Sequence, residues 1–245
     1  MSPAQPSPGG QRASVVLPTY NEREGITPLI AEVLRAGQAA GHELQVVVVD
    51  DDSPDGTAQA VAEAFAGDPR VKLVVRRGER GLASAVLRGI REAGMPVVAL
   101  MDSDFNHHPR DLMRLLESLP GWDMVLGSRY VPGGGMKTSR LRWLGSYAFN
   151  LYLRWLLGLH TRDNLSGFLV ASRETLLSFD PAQIFFGYGD YAIRLLYEAQ
   201  QRGLRIRELP VVYDHRQGGR SKTNLLGLLP QYTKSGLALR RQKRP

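Results

Sequence analysis

The chain contains no cysteine, which excludes disulfides, thiolate metal sites and a thiol nucleophile. After its first apolar run it also lacks a Gly-x-Gly-x-x-Gly turn. Pro18-Thr19-Tyr20-Asn21-Glu22 stands there instead, which argues against a dinucleotide-dependent oxidoreductase. A Gly-x-x-x-x-Gly-Lys-Ser/Thr loop is missing too, so ordinary nucleoside-triphosphate hydrolysis is disfavoured. No window of about 20 residues is both apolar and uncharged, so no membrane-spanning helix is expected. Residues Met1 to Gly10 are rich in Pro, Ser and Gly, without charge or an apolar run. They resemble neither a signal peptide nor a transit peptide, and residues 1–12 read as a disordered tail.

What is present fits one α/β domain with appended helices. The 245 residues are 43% hydrophobic, enough for a sizeable core. Short apolar runs at Ser14–Leu17, Gln45–Val49, Val71–Val75 and Val97–Met101 read as strands. Between them Ile26, Leu29, Ile30, Val33 and Leu34 mark one helix, and Gly81 to Ala93 spans another. Strand alternating with helix at this spacing predicts βαβ units, right-handed crossovers and a parallel sheet. The net charge of +7 favours anionic partners, yet acids cluster at Asp50 to Asp52 and at Asp102 and Asp104. An acidic centre in basic surroundings speaks against nucleic acid, whose phosphates need an unbroken basic track. It suits a metal-bridged phosphate substrate better.

The fourth run ends in Asp102-Ser103-Asp104, and in open α/β sheets ligands bind beyond the carboxyl ends of strands. Paired carboxylates repel unless neutralised, so the pair suggests Mg²⁺ or Mn²⁺, completed by substrate phosphates and water. A helix-capping Asp beside a solvated Asp has the same spelling. His107 and His108 follow, but a hard oxygen-bound ion needs no imidazole and zinc needs a third ligand, so both read as loop residues.

Four motifs in order, Val16-Leu17-Pro18-Thr19-Tyr20-Asn21-Glu22, Val48 to Thr57, Asp102-Ser103-Asp104 and Gly127-Ser128-Arg129-Tyr130, resemble the inverting nucleotide-sugar glycosyltransferases of family 2. Within these the chain is most similar to the dolichol-phosphate mannose synthases and related polyprenyl-phosphate glycosyltransferases, from about Ser14 to Lys222. The resemblance implies the A-type (GT-A) fold: an α/β, Rossmann-like, mostly parallel sheet flanked by helices, with amphipathic helices in the C-terminal half. It implies that Pro18, Tyr20, Glu22 and Asp51, with Val49 before it, hold base and ribose, and that Ser103 joins the substrate site. Asp102 and Asp104 hold Mg²⁺ or Mn²⁺ against the diphosphate. Asn106 stands where the family often carries a Gln ligand, one methylene longer. Arg129 meets the acceptor phosphate, with Arg142 and Ser146 four residues apart gripping it. Arg216 and Lys222, in the glycine-broken basic loop after the last strand, close over the diphosphate. Asp104, Arg129, Arg216 and Lys222 are the implied catalytic set.

The implied reaction is metal-dependent transfer of mannose from GDP-mannose to a polyprenyl or dolichyl phosphate, with inversion. Another donor such as UDP-glucose stays open, as does a soluble hydroxyl acceptor with Asp190 as base, although Asp190 is equally a helix-start acid. A nucleotide-binding, membrane-docking module without turnover is the non-enzymatic reading. Asn164-Leu165-Ser166-Gly167-Phe168 is similar to the family's Ser-Gly-Phe turn, which shapes the acceptor side.

Arg140 to His160 reads as a helix. Arg142, Ser146, Asn150 and Arg154 make a narrow polar stripe, and the remainder is apolar and aromatic. So wide an apolar surface belongs either in a core or at a membrane interface. Residues 13–223 are expected to be the catalytic domain, and residues 224–245 an apolar and basic tail that anchors at a membrane interface. A peripheral position on the cytoplasmic face of a membrane follows as the expected location.

Overall fold

The computed structural model describes residues 10–137, 140–214 and 225–241, with side chains left aside at 225–228. In chain order the elements begin with β1 (Arg12–Thr19), α1 (Arg23–Ala39), β2 (Glu43–Asp50), α2 (Thr57–Ala64), β3 (Val71–Val75), α3 (Leu82–Glu92) and β4 (Val97–Leu100). They continue through α4 (Pro109–Glu117), β5 (Met124–Ser128), β6 (Gly135–Met136), α5 (Arg140–Leu157), β7 (Leu169–Ser172), α6 (Arg173–Ser178) and α7 (Pro181–Ile184). The last are α8 (Tyr191–Gln201), β8 (Ile206–Pro210), β9 (Val212–Tyr213) and α9 (Leu225–Arg241).

The valine-rich strands form because both faces of the sheet are covered, so inward positions come in continuous runs. Val46 and Val48 face one layer with Val15 and Leu17, packed under Ile26, Leu29 and Ile30 of α1 and Leu112 and Leu115 of α4. Val47 and Val49 face the other with Val16, against Val86 and Ile90 of α3 and Leu195 and Leu196 of α8. Gly89 lets α3 lie directly on β1, since a Cβ there would stand 2.2 Å from a Val16 methyl.

Among the described residues the main sheet has the order β3-β2-β1-β4-β7-β5-β8. The first four strands are parallel, as expected, and the chain reverses its direction of winding between β1 and β4, the position where open sheets bind ligands. β7 enters antiparallel between β4 and β5, a strand the sequence patterning did not mark because it directly continues the Ser-Gly-Phe turn. The single late strand expected at Ile206–Tyr213 is divided: β8 pairs with β5, and β9 pairs with β6 in a separate ribbon. The break falls at Val211, whose N–H still donates to the Ser128 carbonyl at 3.1 Å before the chain passes into the ribbon.

The first described strand begins at Arg12, inside the segment expected to be a tail. At the other end α9 is a helix docked on the molecule. Tyr232 is buried against Phe149 of α5, and Gly236 meets Leu153 and Leu156. Among the described residues no helix is long and apolar enough to cross a membrane.

Candidate active site

A cavity of about 320 Å³ opens beyond the carboxyl ends of β1, β2 and β4. Three loops leave these strands through backbone that ordinary residues rarely adopt: Asn21, Asp52 and Phe105 have φ of 55°, 54° and 60°. Such conformations persist where surrounding contacts over-determine them, and they cluster at functional sites. Asp50, wholly buried, supplies part of that constraint. It accepts from Thr19 Oγ1 at 2.9 Å, Ser53 N at 2.8 Å and Ser53 Oγ at 2.6 Å, tying the end of β1 to the loop after β2.

Seven of the residues singled out from sequence come together here: Pro18, Tyr20, Glu22, Asp51, Asp102, Ser103 and Asp104 all line the cavity. Ser103 Oγ donates to the Pro18 carbonyl at 2.9 Å and so locks the β4 loop to the β1 loop. Asp51 has an internal task as well. Its carboxylate accepts from Arg76 Nε at 2.8 Å and from Gly81 N at 2.9 Å, and Arg76 also donates to the Gly81 carbonyl at 3.0 Å. Gly81, at φ 143°, takes a conformation open to glycine alone, which lets its N–H reach Asp51. The acid therefore fixes the loop whose Arg80 lies over the Tyr20 ring at 4.6 Å and lines the same cavity.

Val49 is not at the cavity wall. Its side chain belongs to the core under α3, and only its carbonyl, 3.4 Å from Thr19 Oγ1, faces the β1 loop. Asn106 stands behind Asp104: its amide nitrogen donates to Asp104 Oδ2 at 2.7 Å and its backbone N–H to Oδ1 at 3.1 Å. Arg216 and Lys222 lie outside the described residues.

The two carboxylates differ in setting. Asp104 is buried, whereas the Asp102 side chain is 43% exposed. Among the described residues no cluster of three or more His, Cys, Asp or Glu gathers. Two oxygen donors on a cavity wall do not make a closed protein cage. They fit a hard divalent ion, Mg²⁺ or Mn²⁺, that takes its other ligands from phosphates and water.

His107, read from sequence as a loop residue, is wholly buried beneath this pair. Its ring stacks on Phe168 at 4.4 Å and meets Tyr213 edge-on at 4.6 Å. Burial pushes its pKa down to about 4, so the ring is neutral. Nδ1 accepts the Asp102 N–H at 3.0 Å, which leaves the proton on Nε2, 3.7 Å from Asp102 Oδ2. His108 caps α4, accepting from Arg110 N.

Of the residues expected on the acceptor side, Leu165 and Gly167 of the Ser-Gly-Phe turn line the cavity, whereas Arg129, Arg142 and Ser146 form a second group away from it. Arg129 is buried and makes a two-pronged pair with Asp163, Nε to Oδ2 and Nη2 to Oδ1, each at 2.7 Å. Burial alone would lower the Arg129 pKa, but Asp163 outweighs it and holds the guanidinium firmly charged. Asp163 was missed from sequence, although it sits one residue ahead of Asn164 and the Ser-Gly-Phe turn. The signal available was a lone carboxylate beside a motif two strands away from an arginine. Arg129 lies over the Tyr130 ring, and the Tyr130 hydroxyl donates to Ser146 Oγ at 2.7 Å, so Arg129 and Ser146 are joined through one side chain. Arg142, one turn earlier on α5, is exposed.

The middle of the polar stripe of α5 faces inward, while Arg142 is exposed and Arg154 half-buried. Ser146 and Asn150 are buried, and Asn150 Oδ1 accepts the Asn164 N–H at 2.7 Å. The apolar surface of α5 is divided: Phe149, Leu153, Leu156 and Leu157 pack inward, whereas Leu141 is 81% exposed and Trp155 75%, with Leu144 and Leu151 between them.

Asp190 cannot serve as a free base. It is buried and paired with Arg194 at 2.6 Å, and it accepts from Ser235 of α9 at 2.7 Å and from Tyr188 N at 3.1 Å. Burial raises its pKa, yet the hydrogen bonds from Arg194 and Ser235 and the Arg194 charge win, and the net shift is downward. Arg194 also donates to the Phe186 carbonyl. The neighbouring Gly189 allows Tyr232 to close on the cavity, because a Cβ there would stand 2.6 Å from the Tyr232 hydroxyl. Tyr232, like Arg76 and Asp163, escaped sequence reasoning, since α9 carries no motif.

An open sheet with loops from β1, β2 and β4 converging on a carboxylate pair defines a glycosyltransferase of the A type. The chain belongs to glycosyl transferase family 2, whose model matches residues 14–177. It is 38% identical to an undecaprenyl-phosphate mannosyltransferase of Micrococcus luteus, over 94% of this chain and 96% of the relative. A polyprenol monophosphomannose synthase of Mycolicibacterium smegmatis is 36% identical, over 86% and 81%. A dolichol-phosphate mannosyltransferase of Pyrococcus furiosus is 35% identical over 86% of this chain, which spans 59% of that longer protein. In fold it superposes on glucosyl-3-phosphoglycerate synthase of Mycobacterium tuberculosis, solved with Mn²⁺, UDP and glucosyl-3-phosphoglycerate. The TM-score is 0.70 at 24% identity, over 94% of this chain and 80% of that one.

Proposed function

We propose that the chain transfers mannose from GDP-mannose to a polyprenyl phosphate, with inversion at the anomeric carbon. The carrying observation is the cavity itself, where Asp102 and Asp104 face the Pro18, Tyr20, Glu22 and Asp51 wall. The names of the relatives at 35% to 38% identity supply the acceptor class.

In this reading Tyr20, Glu22 and the loop fixed by Asp51 receive the nucleoside. Asp102 and Asp104 hold Mg²⁺ or Mn²⁺, with Asn106 and His107 holding them in turn. A divalent ion there neutralises the departing diphosphate. Arg216 and Lys222 add positive charge to the same phosphates. An acceptor phosphate is already anionic at neutral pH and attacks without a protein base, which fits a site whose Asp190 is engaged elsewhere. Arg129, kept charged and aimed by Asp163, orients that phosphate together with Arg142 and Ser146. The outward apolar face of α5 supports work at a membrane surface, on the cytoplasmic side where nucleotide sugars are made available.

The test offers radiolabelled GDP-mannose, UDP-glucose and UDP-N-acetylglucosamine in turn, each with polyprenyl phosphate and Mg²⁺ or Mn²⁺, followed by organic extraction. Label is expected in the organic phase from GDP-mannose alone and is expected to vanish with EDTA. Label that stays aqueous with every donor rejects the lipid acceptor, and transfer from a uridine donor rejects GDP-mannose.

A further inference from the structure

A second cavity, of about 280 Å³, lies against α5 and shares no wall residue with the first. Tyr130, Tyr147, Asn150, Leu151, Arg154 and Arg162 enclose it: two guanidinium groups and no carboxylate. That composition is unusual for this molecule. Its wholly buried arginines each meet an acid, Arg76 with Asp51, Arg129 with Asp163 and Arg194 with Asp190. Arg154 is half-buried and Arg162 exposed, with the Glu208 carboxylate bound to the Arg162 backbone N–H; of the two side chains, the unmet buried group is Arg154 Nε, shut away from solvent without a partner among the described residues. An unmet buried donor costs about 1–3 kcal/mol, and such groups in native proteins call for an explanation.

The other polar groups of the wall do not meet this donor in the structure. The Tyr130 hydroxyl already donates to Ser146. The Asn150 amide donates to the Ser146 carbonyl at 3.0 Å, and its oxygen accepts from Asn164. What the cavity lacks is a set of acceptor oxygens with negative charge, the chemistry of a phosphoryl group between two guanidinium forks. The surroundings indicate how that group arrives. Leu151 lines the cavity and is 51% exposed, on the face that carries Leu144 and Trp155. A dissolved phosphate has no use for such a rim, whereas acyl chains do.

We propose that the Arg154–Arg162 cavity binds the headgroup phosphate of an anionic phospholipid, whose chains lie along Leu144, Leu151 and Trp155. This rests on the reading that the protein works at a membrane surface, but it concerns a lipid that is neither donor nor acceptor in the reaction. The site fixes how α5 sits on the bilayer and so holds the acceptor-side residues of the same helix at headgroup depth.

The experiment measures partition of the full chain onto phosphatidylglycerol-containing and pure phosphatidylcholine vesicles, with no nucleotide sugar or polyprenyl phosphate present. Arg154→Gln/Arg162→Gln is expected to bind the phosphatidylglycerol vesicles about tenfold or more weakly, since each charge near the surface contributes about 1 kcal/mol. Its binding to phosphatidylcholine and to GDP is expected to be unchanged. Arg35→Gln/Arg110→Gln, which removes two exposed charges elsewhere, is the control and is expected to match the parent. Equal loss in both double variants, or none in the first, overturns the site. Glycerol 3-phosphate bound in solution as tightly as the vesicles, and lost in the first variant, overturns the lipid source. Because transfer is assayed separately, failure here leaves the reaction standing, and failure of the reaction leaves this site testable.

Discussion

The half built from β1 to β4, and the half holding α5, α8 and α9, place polarity differently. In the first, valines fill the interior and acids appear only where strands run out. In the second, Ser146, Asn150, Asp190 and Arg194 are buried beside an apolar cluster of Phe149, Leu153, Leu156 and Ile193, while further leucines and a tryptophan face outward. A sheet buried on both faces leaves a ligand only the strand ends. The helix α5 is apolar on two sides, one packed under α9 and one exposed. The first half covers its apolar surface on both faces of the sheet, and the second leaves part of its own exposed.

The largest effect is expected in the first half. Asp104→Asn removes one charge from the carboxylate pair, and transfer is expected to fall by about 10³-fold with the circular dichroism spectrum unchanged. Retained activity in that variant would falsify the metal-binding role of the pair. Next comes the buried polarity of the second half. Asp190→Ala leaves Arg194 buried and unpaired, and urea unfolding is expected to lose about 3 kcal/mol. The sign with pH follows from the lowered Asp190 pKa. Its stabilisation is full above the ordinary carboxylate range and is lost as pH falls through the lower folded value. The parent is therefore expected to weaken relative to Asp190→Ala as the medium becomes acid, and parallel pH profiles would remove Asp190 from the explanation.

Smaller effects sharpen the contrast. Arg142→Ala is expected to raise the KM for lipid phosphate by about tenfold, the worth of one charge-assisted hydrogen bond, and to leave the KM for donor alone. A matching rise for both substrates would place Arg142 at neither. Least of all in stability, Trp155→Ser is expected to change unfolding by no more than about 0.5 kcal/mol while lowering vesicle binding. A clear loss of stability would mean that Trp155 is covered within the protein.

Legibility in the sequence follows the same division. The strands β1 to β4 and the acids at their ends could be read because burial on both faces writes itself as unbroken valine, whereas Pro18, Tyr20, Glu22 and Ser103, which line the same cavity, were singled out through the motif resemblance. The helical period of α5 was equally plain. Which of its two faces turns inward was not, since a 3.6-residue repeat gives the angle between stripes but not the solvent each one meets. Asp163, Arg76 and Tyr232 escaped because their importance lies in partners 34, 25 and 43 residues away, at Arg129, Asp51 and Gly189. His107 was visible, but its role depends on the stack with Phe168, which no local pattern encodes.

The docking of α9 has a consequence for how the protein is made. Tyr232 is the last residue to join a cavity whose first wall is Pro18. During synthesis the strands that carry the acids can pair as soon as β4 has left the ribosome, while Asp190 and Arg194 wait for Ser235. For the time it takes to add more than a hundred residues after Asp104, the nascent chain holds a carboxylate pair in an open cleft. The cavity wall is thus complete only once α9 has docked.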